Sequence, residues 1–347
     1  MSTLRNLGSL PQAPPPYKFD RAVLFAVGIG APMLLALAVG EPRAALFAGV
    51  GALFALMTDP RRSIAVRVVS VLIALGLIVG AGTLGVLLQQ QRVAVFLAVV
   101  VITFLSGLPK PYFPYLTIVG KLCAAVVIVT SAGFAATPAA AGAFVGGGLA
   151  ATLATVVVVR WRDAMGTALT PYDEVSGLLA GERNPLYYAI ALAVTVALAL
   201  GRADRLDATL PGWVGLTVLF VMHPDDATAL KLMVQRLGGT LVGIAIAGIF
   251  VHWVHDQWWL AALVIGLAAL MPKATAVNYF WMCTVFTSLV MLLLDLSLLA
   301  TGGDATLLLW RFYDTLLGCA VAGAVLLVLY GAQRWREQRA ATGIYRP

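Results

Sequence analysis

The chain has 347 residues, of which 61% are hydrophobic and only 11% charged, with a formal net charge of +7. Soluble domains carry roughly 25% charged residues, so a water-soluble globule is excluded. The lysines and arginines stand singly between apolar blocks and form no basic face, which argues against a nucleic-acid partner.

Residues 1–18 are polar and proline-rich (Leu10-Pro-Gln-Ala-Pro-Pro-Pro16) and hold no apolar signal-peptide core, so they are expected to be a disordered tail. Beyond them, apolar blocks such as Ile64–Leu88 and Leu307–Tyr330 match a hydrocarbon core of about 30 Å at about 1.5 Å per helical residue. We expect an all-α membrane protein of twelve transmembrane helices, at 20–39, 44–57, 64–88, 93–108, 113–133, 139–159, 186–201, 210–222, 230–253, 257–272, 275–299 and 306–332. Membrane lipid is then the solvent. Seventeen of the 23 lysines and arginines fall on the side of the N-terminus. By the positive-inside rule both termini are cytoplasmic. Cys123, Cys283 and Cys319 lie inside apolar blocks without metal-ligand spacing and read as small core thiols.

Landmarks recur at one offset. Asp59-Pro60 follows the second expected helix and His223-Pro224 the eighth, with the prolines 164 apart. Leu108-Pro109-Lys110 and Met271-Pro272-Lys273 follow the fourth and tenth, with the prolines 163 apart. Arg67 meets Lys231, and Gly51 meets Gly215, at 164. The chain therefore divides into a first six-helix repeat at 19–159, a linker at 160–185, a second repeat at 186–332 and a tail at 333–347. An even helix number per half makes the repeats parallel. Pro171-Tyr172-Asp173-Glu174 in the linker suits a short amphipathic helix at the membrane surface.

Helices two and eight are too short to cross comfortably. Short segments at matching positions of two halves point to a transport site. Intramembrane charge costs about 2.5–3.5 kcal/mol at a helix centre, which singles out Lys121 and Asp295. Lys121 also suits snorkelling, and Asp295 suits a solvated role near a helix end. Asp59 before Pro60 suits a helix cap, while His223 at the matching position changes charge near neutral pH. Arg311 and Asp314 lie one turn apart and suit either a mutual pair or an anion site. Trp213, Asn278 and Tyr279 add aromatic and amide surface. The candidate substrate-binding residues are thus Lys121, Arg67, Lys231, Arg236, Arg311, Trp213, Asn278 and Tyr279. The candidate proton carriers are Asp59, His223, Asp314 and Asp295. His223 with Asp225 and Asp226, and His252 with His255 and Asp256, resemble metal clusters only superficially. No Walker-type glycine loop and no nucleophile–base set appear, so neither a cofactor, a metal nor an enzyme activity is expected.

Three stretches of the second half carry a family resemblance: Arg236-Leu-Gly-Gly-Thr240-Leu-Val-Gly243, Pro211-Gly-Trp213-Val-Gly215 leading to His223-Pro224, and Arg311-Phe-Tyr-Asp314-Thr-Leu-Leu-Gly318. In the first half Asp59-Pro60, Arg67, Gly76, Gly80 and Gly82 match more loosely. The chain resembles the fusaric acid resistance (FUSC-type) and aromatic acid exporter superfamily, and more distantly the aluminium-activated malate transporters. Many members carry a large cytoplasmic helical domain, where here the linker and tail are short. The resemblance implies a bacterial inner-membrane exporter of small, often aromatic, organic anions, with a periplasmic membrane-fusion adaptor protein as partner. A homo-oligomer and proton coupling are expected. A passive organic-anion channel and a non-transporting membrane scaffold are the alternatives.

Overall fold

The computed structural model describes residues 19–131, 137–158, 170–205, 211–298 and 306–341. The expected N-terminal tail, the first part of the linker and the end of the C-terminal tail lie outside the described residues. Thirteen α-helices and no strand occur among the described residues. The first six are α1 (Phe19–Ala38), α2 (Pro42–Met57), α3 (Ile64–Leu88), α4 (Arg92–Gly107), α5 (Pro114–Ser131) and α6 (Pro138–Val158). A short α7 (Pro171–Leu179) lies in the linker. Then come α8 (Leu186–Arg205), α9 (Pro211–Val221), α10 (Asp226–Trp253), α11 (Gln257–Val277), α12 (Tyr279–Leu298) and α13 (Thr306–Ala341). Eight of them are long and apolar enough to cross a membrane. An all-helical build is what a bilayer demands, since lipid offers no partner for free backbone N–H and C=O groups.

Two expected boundaries move. The Met271-Pro272-Lys273 turn does not form: Pro272 sits inside α11, which runs on to Val277 and breaks at the extended Asn278. Proline removes one rung of the hydrogen-bond ladder, and membrane helices tolerate that loss where neighbours cover it. Pro109, by contrast, does mark a turn, which begins after α4 ends at Gly107. The last helix runs past residue 332 to Ala341 because Gln333–Ala341 offers good helix formers and no glycine or proline stop.

Helix contacts follow one scheme in each half. In the first half α2 lies on α6, α3 on α5, and α1 on α2 and α6. In the second half α9 lies on α13, α10 on α12, and α8 on α9 and α13. The halves meet where α1 touches α11, α4 touches α8, α2 touches α12 and α5 touches α9. Each of the two large cores draws side chains from both halves.

With lipid outside as apolar as leucine, helices gain by close van der Waals approach over small residues. A methyl group on Gly51 would overlap the carbonyl oxygen of Phe144, and one on Gly147 would overlap that of Ala48. Those two glycines let α2 and α6 touch backbone to backbone. Gly239 and Gly243 play the same part for α10 on α12, where an added Cβ would meet the Phe280 and Thr284 carbonyl oxygens at 2.5 and 2.7 Å. Gly76 and Gly80 of α3 instead face open space.

Candidate functional site

A cavity of about 380 Å³ opens between the halves. It is walled by α2, α3, α5 and α6 on one side and by α9 and α12 on the other. Apolar and aromatic side chains dominate, among them Phe47, Phe54, Phe144 and Phe286. Its size suits a small ligand, for which such sites run from about 300 to 1,000 Å³. Two charged residues line it, Arg236 from α10 and Arg311 from α13.

Both arginines are buried, each only 3% exposed. Arg236 donates from Nη1 to the Cys283 sulfur at 3.7 Å, and its Nε meets no acceptor among the described residues. Arg311 has neither Nε nor Nη1 satisfied. Its guanidinium lies over the Trp213 ring, 4.1 Å from the centroid. Arg236 stands 5.9 Å from the centroid of Phe220, and the Lys121 ammonium approaches the same ring at 5.5 Å. Such cation–π contacts contribute about 0.5–2 kcal/mol and leave in-plane N–H donors free.

Why these side chains converge follows from helix geometry. Trp213 and Phe220 are seven residues apart on α9, two turns along one face. Arg236 lies on the α10 stripe that Gly239 and Gly243 press onto α12. Arg311 stands early in α13, which packs on α9 through Gly318, where an added Cβ would meet Thr217 at 2.6 Å.

The other candidates divide. Lys121, Trp213 and Tyr279 join the cluster, the Tyr279 hydroxyl donating to the Phe220 carbonyl at 3.3 Å. Arg67 and Asp59 instead hold each other in a buried two-point ion pair, with Arg67 Nε donating to Asp59 Oδ1 at 2.8 Å and Nη2 to Oδ2. Lys231 is exposed. Asn278 is exposed too and caps α12 by accepting from the Trp281 amide at 3.0 Å. Asp295 lies outside the cavity lining. Asp314 is buried one turn from Arg311, yet no ion pair joins them among the described residues. His223 sits in the loop before α10, half-buried, its Nδ1 accepting from the Asp225 amide at 3.1 Å. Burial of the ring lowers its pKa below the ordinary histidine value. Asp225 and Asp256 act as helix caps, accepting from Thr228 and from Trp258 and Trp259. Phe220 and Cys283 were not singled out by sequence reasoning. The seven-residue spacing from Trp213 is the signal for the first, and nothing in the sequence links Cys283 to Arg236.

The fold is thus that of an all-helical membrane protein with an apolar cavity between its halves and buried cations on one wall. Residues 192–325, which hold Trp213, Phe220, Arg236 and Arg311, match the family described as fusaric acid resistance protein-like. This is the family that the motifs of the second half resemble. The chain is 34% identical over 125 residues to the inner membrane protein YccS of Escherichia coli (strain K12), covering 36% of this chain and 17% of that protein. It is 26% identical over 157 residues to the protein YhfK of the same organism, covering 45% and 21%. To the protein ORF2 of Neisseria gonorrhoeae it is 26% identical over 152 residues, covering 43% and 35%. The chain therefore spans about a third or less of the length of these relatives. No solved structure matches it.

Proposed function

We propose that this chain is an inner-membrane transporter that exports small organic anions, above all aromatic carboxylates. The observation that carries the reading is the pair of buried arginines with unsatisfied N–H groups beside an apolar, aromatic cavity. A buried cation without a partner is costly, and an arriving carboxylate would offset that cost through charge-assisted hydrogen bonds. The aromatic rings around the cavity suit an aromatic body behind the carboxylate. The match of residues 192–325 to the fusaric acid resistance protein-like family favours a membrane transporter, and the name of the relative YccS favours the inner membrane.

Twelve crossings in two parallel repeats fit the shared scheme of helix contacts. Asp59 and His223 add to it: each accepts the amide two residues on, from Arg61 at 3.1 Å and from Asp225 at 3.1 Å. In this reading both termini are cytoplasmic, Asp314 and His223 carry protons, and a membrane-fusion adaptor and further copies of the chain complete the export path. A second reading, a passive anion channel, draws on one observation: Asp59 is committed to Arg67 and is not free to carry protons.

The test is uptake of aromatic carboxylates into inverted vesicles with an imposed pH gradient. Accumulation should collapse in Arg311→Ala and Arg236→Ala by tenfold or more, a loss of about 1.4 kcal/mol. Flux that follows voltage and ignores the pH gradient would select the channel. Unchanged transport in both variants would sink the site.

A further inference from the structure

The linker helix α7 divides into three sectors. One turns inward. Glu174 is fully buried, and its carboxylate accepts from the amides of Tyr115 (3.2 Å) and Leu116 (2.8 Å) in the first turn of α5. Beside it Gly177 lies so close to the Phe113 ring that an added Cβ would stand 2.7 Å away. A second sector is apolar and uncovered. Tyr172, Val175 and Leu179, at i, i+3 and i+7, are 80%, 42% and 83% exposed. The third is polar and exposed, with Asp173 and Ser176. At 100° per residue these sectors follow one another around the helix without overlap. A helix that needs only protein and water has no use for the middle one.

We infer that α7 is an interfacial helix, and that its Tyr172–Val175–Leu179 stripe is buried in the headgroup boundary of the same bilayer that the rest of the chain spans. The occupant follows from position. The segment after α7 is tied to the end of α4, with Asn184 donating to the carbonyls of Gly107 (3.0 Å) and Pro109 (2.7 Å) and from its backbone to Leu108 (2.8 Å). Tyr112 also donates to Glu182 at 3.1 Å. So α7 lies at the ends of α4 and α5. The helix α4 and the next helix in the chain, α8, also expose apolar side chains, such as Val101 and Leu105 of α4 and Tyr187 and Ile190 of α8. Amphipathic helices at such a level bury their apolar face about 5–10 Å into the boundary.

Lipid contact on one side of α7 thereby holds Glu174 on α5 from the other. The first turn of α5 has no cap of its own. It opens with Pro114 after Phe113, and neither offers a side-chain acceptor. Its counterpart α12 is capped by its own Asn278. The position of α5, which supplies Leu122, Ala125 and Val129 to the cavity wall, thus depends on a helix seated in the lipid surface.

The test uses the full chain in phosphatidylcholine–phosphatidylglycerol vesicles and reads no transport, so its outcome is separate from that of the transport reading. A bimane probe at Leu179→Cys should be quenched by lipids carrying a nitroxide near the headgroup, and a probe at Ser176→Cys by aqueous iodide. Hydrogen exchange at the Tyr115 and Leu116 amides should rise tenfold or more in Leu179→Asp and stay unchanged in Ser176→Asp. Iodide quenching equal at both positions would overturn the inference. So would a Leu179→Cys probe shielded from both quenchers in a concentration-dependent way, which would mark a second copy of the chain as the occupant. Unchanged exchange in Leu179→Asp would overturn it as well.

Discussion

The loops that follow α2 and α9 share a local form and differ in what they reach. In both, a side chain before proline accepts the amide two residues on, Asp59 from Arg61 and His223 from Asp225. Asp59 then closes a two-point ion pair with Arg67 on α3. At the matching place on α10 Lys231 points outward, and the buried charge of that helix is Arg236, more than a turn deeper and facing the cavity. The first loop spends its charge on holding itself together. The second leaves a cation over. Two loops of one local form thus differ in whether the nearby buried cation has a carboxylate partner.

The largest test of this contrast is Asp59→Ala. It leaves Arg67 buried without a counter-charge and should cost about 3–5 kcal/mol, whereas His223→Ala should cost under about 1 kcal/mol. Thermal unfolding in detergent compares the two. If they fall equally, the contrast fails. Next, adding Arg67→Leu to Asp59→Ala should restore most of the loss, because a buried pair replaced by apolar groups is often neutral, and Lys231→Leu alone should change little. Asp225→Ala removes the cap of α10 and should cost about 1 kcal/mol, read by the same melt. Hydrogen bonding from Thr228 holds the Asp225 carboxyl below its ordinary range. Its contribution is therefore full above the ordinary aspartate pKa of about 3.9 and fades as pH falls through the lower folded value.

The smallest effect is the pH response of His223. Its folded pKa is lowered by burial, so the unfolded chain takes up a proton first as pH falls. Stability should decline as pH drops through the ordinary histidine value of about 6.5. The slope of the melting midpoint between about pH 7.5 and 5.5 should flatten in His223→Ala. An unchanged slope would assign the response to another group.

Most helices were legible because each apolar block is bounded by polar or proline-bearing steps. Ile64–Leu88 stands where the pattern put it, and Pro42, Pro114, Pro138 and Pro211 each open a helix as the missing N–H predicts. Pro272 misled because the same residue either starts a turn or is carried inside a helix, and only the neighbours decide. Of the candidate site, Lys121 was legible as rare charge in an apolar block and Trp213 as aromatic bulk, while Arg236 and Arg311 stood out through the motifs around them. The pairing of Asp59 with Arg67 was not, since two charges eight residues apart across a loop carry no periodic signal. Nor was the reach of Glu174 to α5, 58 and 59 residues away in the chain.

The shortness of α9 has an electrical consequence. Its 11 residues span about 16 Å, little over half of a hydrocarbon core of about 30 Å. Its C-terminal carbonyls take hydrogen bonds from Tyr279 at Phe220 and from Tyr188 at Met222. That end carries roughly half a negative charge, beside the ring that Lys121 and Arg236 both approach. A fixed fraction of a charge beside two whole ones offsets part of their repulsion and leaves the cluster positive. The terminus of a short helix thus supplies in part the counter-charge that Asp59 supplies in full to Arg67.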